Sequence, residues 1–439
     1  MQGAAGERRP VSTAATAPHP AATPVPAPRA PAQPPTADRT PAPAPDARAG
    51  PAAAGAPRVP FRQFILKVNG RCNLNCRYCY LYAGPDSGWR HRPAGASDAV
   101  RARTAHRIAE HASAHGLREI SLVLHGGEPL LAGADALAAT VEQVRAAVPA
   151  NCAVHAVIQT NGTLLTEAGL RTLRAAGVRV GVSLDGGLER HNRERVDHAG
   201  RPSWTAATRG LRLLAGHPDA YAGVLCVVDV AGDPAEVYAS LLAFDPPMLD
   251  FLLPHGNWSA PPPGLTAAGL GRAPSSAARA TPYGQWLGAV FDQWWRADRR
   301  RVRVRLFEEC LALLLGLPAA TESLGLQPFA AAVVETDGTI EQSDALKSAY
   351  EGAAATGLDV FRHSFDDALA HPGVAARQAG TAALAADCLR CPVVRVCGGG
   401  HYAHRYDAGA GFRHPSVYCA DLRHLIEHIA GRVTEAASA

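Results

Sequence analysis

The sequence predicts an α/β fold: a partial (β/α)6 TIM-like barrel followed by a small C-terminal cysteine-rich domain. Three observations predict it. From Phe61 onward short apolar runs alternate with helix-period stretches; the alternation runs through six units; and past about residue 300 it stops while cysteines gather. Strand–helix alternation gives a parallel sheet with right-handed crossovers. Six units are too few for a closed eight-stranded barrel, and function is expected where loops leave the C-terminal ends of the strands.

Residues 1–57 are almost entirely Ala, Pro, Thr, Gly and Arg. Such a stretch cannot bury enough apolar surface to offset its ordering entropy, so a disordered tail is expected. The barrel is expected over residues 58–300. Its strands read as Phe64–Val68, Ile120–Leu124, Val154–Ile158, Val178–Leu184, Val224–Val230 and Phe251–Leu253. Helices fall between them near Val100–His115, Leu137–Val148, Glu167–Ala176, Ala206–Ala215 and Ala235–Phe244. The Pro-, Gly- and Ala-rich stretch Ser259–Ala280 reads as a flexible insertion, and a Trp-bearing helix follows it. Over residues 301–439 the pattern changes. Phe329–Val334 and Thr339–Gln342, joined at Thr336-Asp337-Gly338, read as a hairpin, and the remainder to Tyr418 reads as irregular.

The net charge of +4 is small for 439 residues and argues against a nucleic-acid partner. No apolar run is long enough to span a bilayer, and no signal-peptide core is visible, so a cytoplasmic protein is expected. Thiols stay reduced there, and the ten cysteines then point to metal ligation rather than to disulfides.

The first cysteine group is Cys72-Asn73-Leu74-Asn75-Cys76-Arg77-Tyr78-Cys79, directly after the first strand. A structural zinc site wants four protein ligands, whereas three thiolates leave an open position, as a catalytic metal site requires. The pattern resembles the radical S-adenosylmethionine (radical SAM) superfamily, whose signature is C-x3-C-x-aromatic-C, with Tyr78 as the aromatic. The resemblance implies a 4Fe–4S cluster on Cys72, Cys76 and Cys79 that binds S-adenosylmethionine and releases a 5′-deoxyadenosyl radical.

Other strand ends carry matching motifs. The second ends in Gly126-Gly127-Glu128-Pro129, which the resemblance places against the cofactor's amino group. The third ends at Asn161, and the fourth in Ser183-Leu184-Asp185-Gly186 with Arg195 beyond it. Ser183 and Arg195 match positions that bind the cofactor's ribose and carboxylate, and an arginine fork suits a carboxylate. The sixth strand leads into His255-Gly256-Asn257-Trp258, expected as a wall of the site.

The second cysteine group is Cys388, Cys391, Cys397 and Cys419. Local chemistry allows zinc or an iron–sulfur cluster. The spacing resembles the SPASM domain of peptide-modifying radical enzymes, which implies one auxiliary 4Fe–4S cluster here. A full SPASM domain holds two, but Ser343 and His401 stand where cysteines of the first are expected, so that cluster is expected to be missing. Cys152, Cys226 and Cys310 read as ordinary buried cysteines.

Asp344, next to Ser343, matches a proton-removing aspartate of sulfatase-maturing relatives and is a candidate base. The stretches Phe61–Val68 and Gly398–Tyr406 look like the FxsB-type branch of radical SAM/SPASM peptide maturases. That likeness implies a carbon–carbon (cyclophane) crosslink between an aromatic ring and a nearby β-carbon of a ribosomally made precursor peptide. A reductant such as flavodoxin or ferredoxin would serve as partner. Thioether formation, epimerisation and sulfatase-type oxidation are the alternatives on the same machinery, and a zinc-binding scaffold is the non-catalytic one. The basic run Arg299–Arg305 reads as a solvated face, with leader-peptide docking as its functional alternative.

Overall fold

The computed structural model describes residues 58–265, 280–297, 302–319 and 321–438. The expected tail, most of the expected insertion and part of the Arg299–Arg305 run lie outside the described residues.

The six barrel strands form in order: β1 (Gln63–Asn69), β2 (Glu119–Gly126), β3 (Ala153–Thr160), β4 (Val178–Ser183), β5 (Tyr221–Val227) and β6 (Met248–Leu252). They pair in parallel, each with the next. The crossover helices are α1 (Asp98–Ala114), α2 (Ala134–Ala147), α3 (Glu167–Ala175), α4 (Trp204–Ala215) and α5 (Pro234–Leu242). Local chemistry sets their starts. Ser97, Thr166 and Asp233 each accept a backbone N–H from the third residue onward, and Pro234 occupies the first turn of α5.

Two strands are shifted from expectation. β5 starts and ends three residues early, because the Val228 amide already bonds Leu252 and the chain turns at Asp229–Gly232. β6 starts at Met248 rather than Phe251.

Leu66, Leu122, Leu124, Ile158, Val180, Val182 and Leu249 are fully buried between sheet and helices. Each such side chain contributes roughly 1.5–3 kcal/mol of transfer free energy.

The sheet does not end with the barrel. Among the described residues it has ten strands, and β8 (Ala331–Val334) pairs in parallel with β1. β9 (Thr339–Glu341) closes the expected hairpin, turning at Gly338 with φ 87°. Two further strands were not legible: the two-residue β7 (Arg303–Val304) beside β6, and β10 (Ala355–Asp359), whose Ala-Thr-Gly-Leu-Asp has little strand propensity and pairs only with β9. Because β8 joins it, β1 has partners on both sides, and the cysteine loop leaves from the interior of the sheet rather than from an edge.

The helix Pro282–Arg296 packs against the C-terminal helix Cys419–Ser438. Asp421 accepts the Tyr283 and Gly284 amides at 2.8 and 3.0 Å, and Asp292 takes His428 and Arg432 at 2.9 and 2.7 Å. This lock fixes Cys419, the first residue of the C-terminal helix.

Candidate active site

The chain's chemistry converges at the C-terminal ends of the strands. The loop after β1 is held by the loop after β2. Gly127 N–H donates to the Asn69 carbonyl and Glu128 N–H to the Arg71 carbonyl, both at 2.9 Å. The approach is too close for side chains. A Cβ on Gly127 would sit 2.4 Å from the Arg71 carbonyl oxygen, and one on Gly126 would sit 1.9 Å from that of Asn69. These glycines therefore have a structural reason, the clamping of the cysteine loop, besides any contact with a ligand.

Glu128 is fully buried. Its carboxylate accepts from the Thr160 hydroxyl (2.7 Å), the Leu130 amide (2.9 Å) and the Asn161 amide (2.8 Å). It ties the end of β2 to the end of β3. Burial pushes its carboxyl up, against those donors. Pro129 follows at the first position of a short 3-10 turn. Asn161 in turn reaches the cysteine loop, donating to Asn73 at 2.9 Å and lying 3.8 Å from Cys72 Sγ.

On the other flank, Tyr78 joins the cysteine loop to β4. Its hydroxyl donates to Asp185 Oδ2 and accepts from Arg195 at 2.7 Å. Asp185 also accepts the Val227 amide at 3.1 Å. Burial raises the Asp185 carboxyl, opposed by the Arg195 charge. Ser183 accepts from Gln159 at 2.9 Å. Arg195 is 6% exposed, and its Nε has no hydrogen-bond partner.

Cys72, Cys76 and Cys79 are half-buried free thiols close enough to raise one another's pKa. Burial pushes the Cys72 thiol up to about 12, while amides of Leu74 at Cys72, and of Leu81 and Tyr82 at Cys79, favour the thiolates. Three converging thiols with amide donors, beside a buried arginine with an unsatisfied N–H, suit an iron–sulfur cluster and an anionic cofactor group.

The second cysteine set forms around a glycine run. Gly398, Gly399 and Gly400 all have positive φ (60°, 82° and 67°), a curl only glycine makes cheaply. The buried Arg405 fills the curl, donating to all three carbonyls at 2.7–3.1 Å. Cys397 Sγ is pushed up to about 11, first by burial, and its field is shared with Cys388 and Cys391. Cys391 and Cys419 both act on Arg423. Four thiols drawn together from two segments fit an auxiliary cluster. Cys152, Cys226 and Cys310 are buried.

Two clusters escaped sequence reasoning. Asp344 is 6% exposed and sits in a charged hub. Lys67 Nζ lies 2.6 Å from its Oδ1 and Lys347 Nζ 3.2 Å, while His125 Nδ1 is 4.0 Å from its Oδ2. Glu335 lies 2.7 Å from Lys67, Glu341 lies 2.8 Å from Lys347, and Arg92 bridges both glutamates. Burial works upward on Asp344, but the Lys67 and Lys347 charges prevail and hold it far below the usual carboxylate range. The second cluster is His255, His401 and His404, whose ring centroids lie 5.0–5.2 Å apart. A lysine inside the apolar strand Phe-Ile-Leu-Lys-Val was the available signal for the first. The His401–His404 spacing was the signal for the second.

Ser343 takes an extended conformation just before the turn carrying Asp344. Within the basic run, Arg303 pairs with Glu308 at 2.7 Å and Arg305 with the buried Asp250.

Residues 66–218 match the model of the Radical SAM superfamily. This stretch is a radical SAM domain, and the protein is an enzyme working with a 4Fe–4S cluster and S-adenosylmethionine. Over 361 residues the chain is 29% identical to a serine-type anaerobic sulfatase-maturating enzyme of Klebsiella aerogenes, covering 81% of this chain and 84% of that one. A cysteine-type anaerobic sulfatase-maturating enzyme of Clostridium perfringens is 26% identical over 301 residues, covering 65% and 74%. Among solved structures, anSMEcpe with bound AdoMet gives a TM-score of 0.67 at 22% identity, covering 86% of this chain and 99% of that one. Streptococcus suis SuiB bound to precursor peptide SuiA gives 0.52 at 13% identity, covering 82% and 76%. At these identities the structural likeness speaks for the fold. No described helix is long and apolar enough to cross a membrane.

Proposed function

We propose that this protein oxidises a side chain of a peptide, in the manner of the sulfatase-maturating relatives, with Asp344 as the proton acceptor. The observation that carries the reading is the ionised Asp344, kept so by Lys67 and Lys347 beside the cysteine loop. When bound, a cluster on Cys72, Cys76 and Cys79 supplies the electron that frees the hydrogen-abstracting radical from S-adenosylmethionine, and an auxiliary cluster on Cys388, Cys391, Cys397 and Cys419 offers a sink for the electron the substrate gives up.

The chain's own residues do the rest. Arg195, with its free buried N–H, orients an anionic group of the cofactor. Tyr78 and Asp185 hold that guanidinium in place. Glu128 and Asn161 brace the loop so the thiols stay converged. Asp344 Oδ takes the proton lost from the substrate's heteroatom as it is oxidised, and the neighbouring lysines steady the charge before transfer. Tyr80 and Tyr82, whose hydroxyls burial pushes well up, stay neutral and help exclude water. Flavodoxin or ferredoxin would suit as the donor of the first electron.

A second reading is the cyclophane crosslink. It is supported by the FxsB-like stretches Phe61–Val68 and Gly398–Tyr406 and by Ser343 and His401 in place of cluster cysteines. Both reactions remove two hydrogens when the target is a serine, so mass alone does not separate them. Incubation of the reduced, reconstituted enzyme with a serine-containing sulfatase peptide, followed by hydrazide capture, separates them: an aldehyde product supports oxidation. A precursor from a neighbouring reading frame that loses two hydrogens without hydrazide reactivity, and shows a new carbon–carbon bond by NMR, would replace it with the crosslink.

A further inference from the structure

The three-histidine cluster lies outside both cysteine sites. His255 follows β6, while His401 and His404 flank a short 3-10 turn (Tyr402–Arg405) just after the glycine run. One ring nitrogen from each lies within 4.8 Å of the other two. His255 Nδ1 and His404 Nε2 are 3.1 Å apart. Two nitrogens on one tetrahedral zinc, at 2.0–2.1 Å from it, stand about 3.3 Å from each other, so this pair is already near ligand spacing.

The 3.1 Å contact between His255 and His404 is of hydrogen-bond length, and one ring nitrogen of the cluster is left over. His404 is 3% exposed and its Nδ1 has no partner. An ion among the three rings would bind His404 through Nε2, which keeps its lone pair free when Nδ1 carries the ring proton.

Outer groups also hold the rings in place. Glu322 Oε2 lies 3.4 Å from His401 Nε2 and is itself held by Arg377 at 2.7 Å. His401 Nδ1 also accepts the Ala403 amide at 3.3 Å, so ligation by either of its nitrogens exchanges one of these two long contacts for the ion. The edge of Tyr80 meets His255 and that of Tyr418 meets His404, with centroids 4.6 and 5.0 Å apart. Such outer partners orient ligands and tune a metal.

From this geometry we infer that His255, His401 and His404 bind one divalent transition-metal ion of the zinc or iron(II) class, with a coordination position left open. Imidazole donors select that class over magnesium or calcium. Three protein ligands, rather than four, are the pattern of a site that also takes water or substrate. Tyr80 belongs to the cysteine loop, so the ion would face the same mouth as the radical SAM centre. The site stands whether or not the substrate is a peptide.

The test uses the full chain, purified anaerobically with its iron–sulfur content reconstituted. Zn2+ and, separately, Co2+ are titrated against a competing chelator, and metal and iron are counted after desalting. The expected result is one zinc or cobalt per chain in addition to the iron, with nitrogen-only protein neighbours by X-ray absorption. His255→Gln and His404→Gln should each weaken binding by more than about tenfold with iron unchanged. If the buried His404 variant does not fold, His401→Asn carries the same comparison. Retention of neither metal, sulfur neighbours, or undiminished affinity in the variants would overturn the site.

Discussion

Lys67, in the middle of β1, places its Nζ 2.6 Å from Oδ1 of Asp344, in the turn after β9. This contact joins the barrel to the C-terminal hairpin through charge as well as through the β1–β8 ladder. Around it, three carboxylates (Glu335, Glu341, Asp344) face three cations (Lys67, Lys347, Arg92), so the buried hub is balanced. Desolvation makes such a hub a poor source of net stability, yet breaking it is expensive.

Lys67→Met should therefore destabilise the fold by roughly 3–5 kcal/mol, read from urea unfolding, because it leaves three buried carboxylates facing two cations. The pH dependence follows from the sign of the shifts. Glu335 is held down at about 2, burial working upward but Lys67 and Lys347 prevailing, and Asp344 is depressed by the same two lysines. Depressed carboxyls stabilise the fold above their unfolded values of about 4 and lose that contribution as pH falls through the folded values. The variant should lose structure at a higher pH than the wild type in an acid titration. Coincident acid transitions would show that the hub contributes nothing.

Asp344→Asn keeps the shape of the side chain and removes the proton acceptor. Release of 5′-deoxyadenosine should persist while modified peptide falls by about a hundredfold or more, the usual scale of general-base loss. The ratio of the two products is the readout. An unchanged ratio would remove Asp344 from the reaction.

The barrel was legible because six apolar runs and their helices each carry a local signal. The cysteine sites were legible because their ligands are close in sequence. The hub was not, since Lys67, Arg92 and the 335–347 stretch are far apart along the chain, and nothing in the sequence pairs the lysine of the apolar strand with Asp344. The histidine cluster hid for the same reason, His255 being far along the chain from His401 and His404. β10 stayed hidden because its partner strand, rather than its composition, makes it a strand. Gly126 and Gly127 carry a second role that their motif does not reveal, since the Asn69 and Arg71 carbonyls pack against them.

Arg195→Gln should weaken S-adenosylmethionine binding by roughly 10- to 100-fold, the equivalent of a hydrogen bond to a charged group. Equilibrium binding to the anaerobic, reconstituted protein measures it. Tyr78→Phe, which removes only the bridge between Arg195 and Asp185, should show a smaller loss. Equal losses would mean that Arg195 positions the loop rather than the cofactor.

Replacing Cys72, Cys76 and Cys79 together by alanine should leave about four irons per chain, the content of one cluster. The residual iron should disappear when Cys388 and Cys391 are also replaced. A remainder near eight would mean that two auxiliary clusters are present despite Ser343 and His401.

Gly127→Ala tests the clamp on the cysteine loop. The added Cβ would meet the Tyr82 hydroxyl at 2.2 Å and the Arg71 carbonyl oxygen at 2.4 Å. The tyrosine can swing away, but the carbonyl belongs to the residue before Cys72 and also accepts the Glu128 amide. Relief of the clash must move the backbone that aims the first thiol. A cost of about 1–3 kcal/mol is expected from overpacking of this kind, together with a loss of iron from the first site. Gly431→Ala is the control. It lies in the C-terminal helix with nothing within 4 Å of its new Cβ, and there alanine should stabilise by roughly 0.5–1 kcal/mol. Iron content and thermal unfolding of the two variants, measured side by side, separate a specific effect on the loop from a general effect of adding a methyl group. Full iron retention in Gly127→Ala would show that the loop tolerates displacement and that the close approach of β2 is not what holds Cys72 in place.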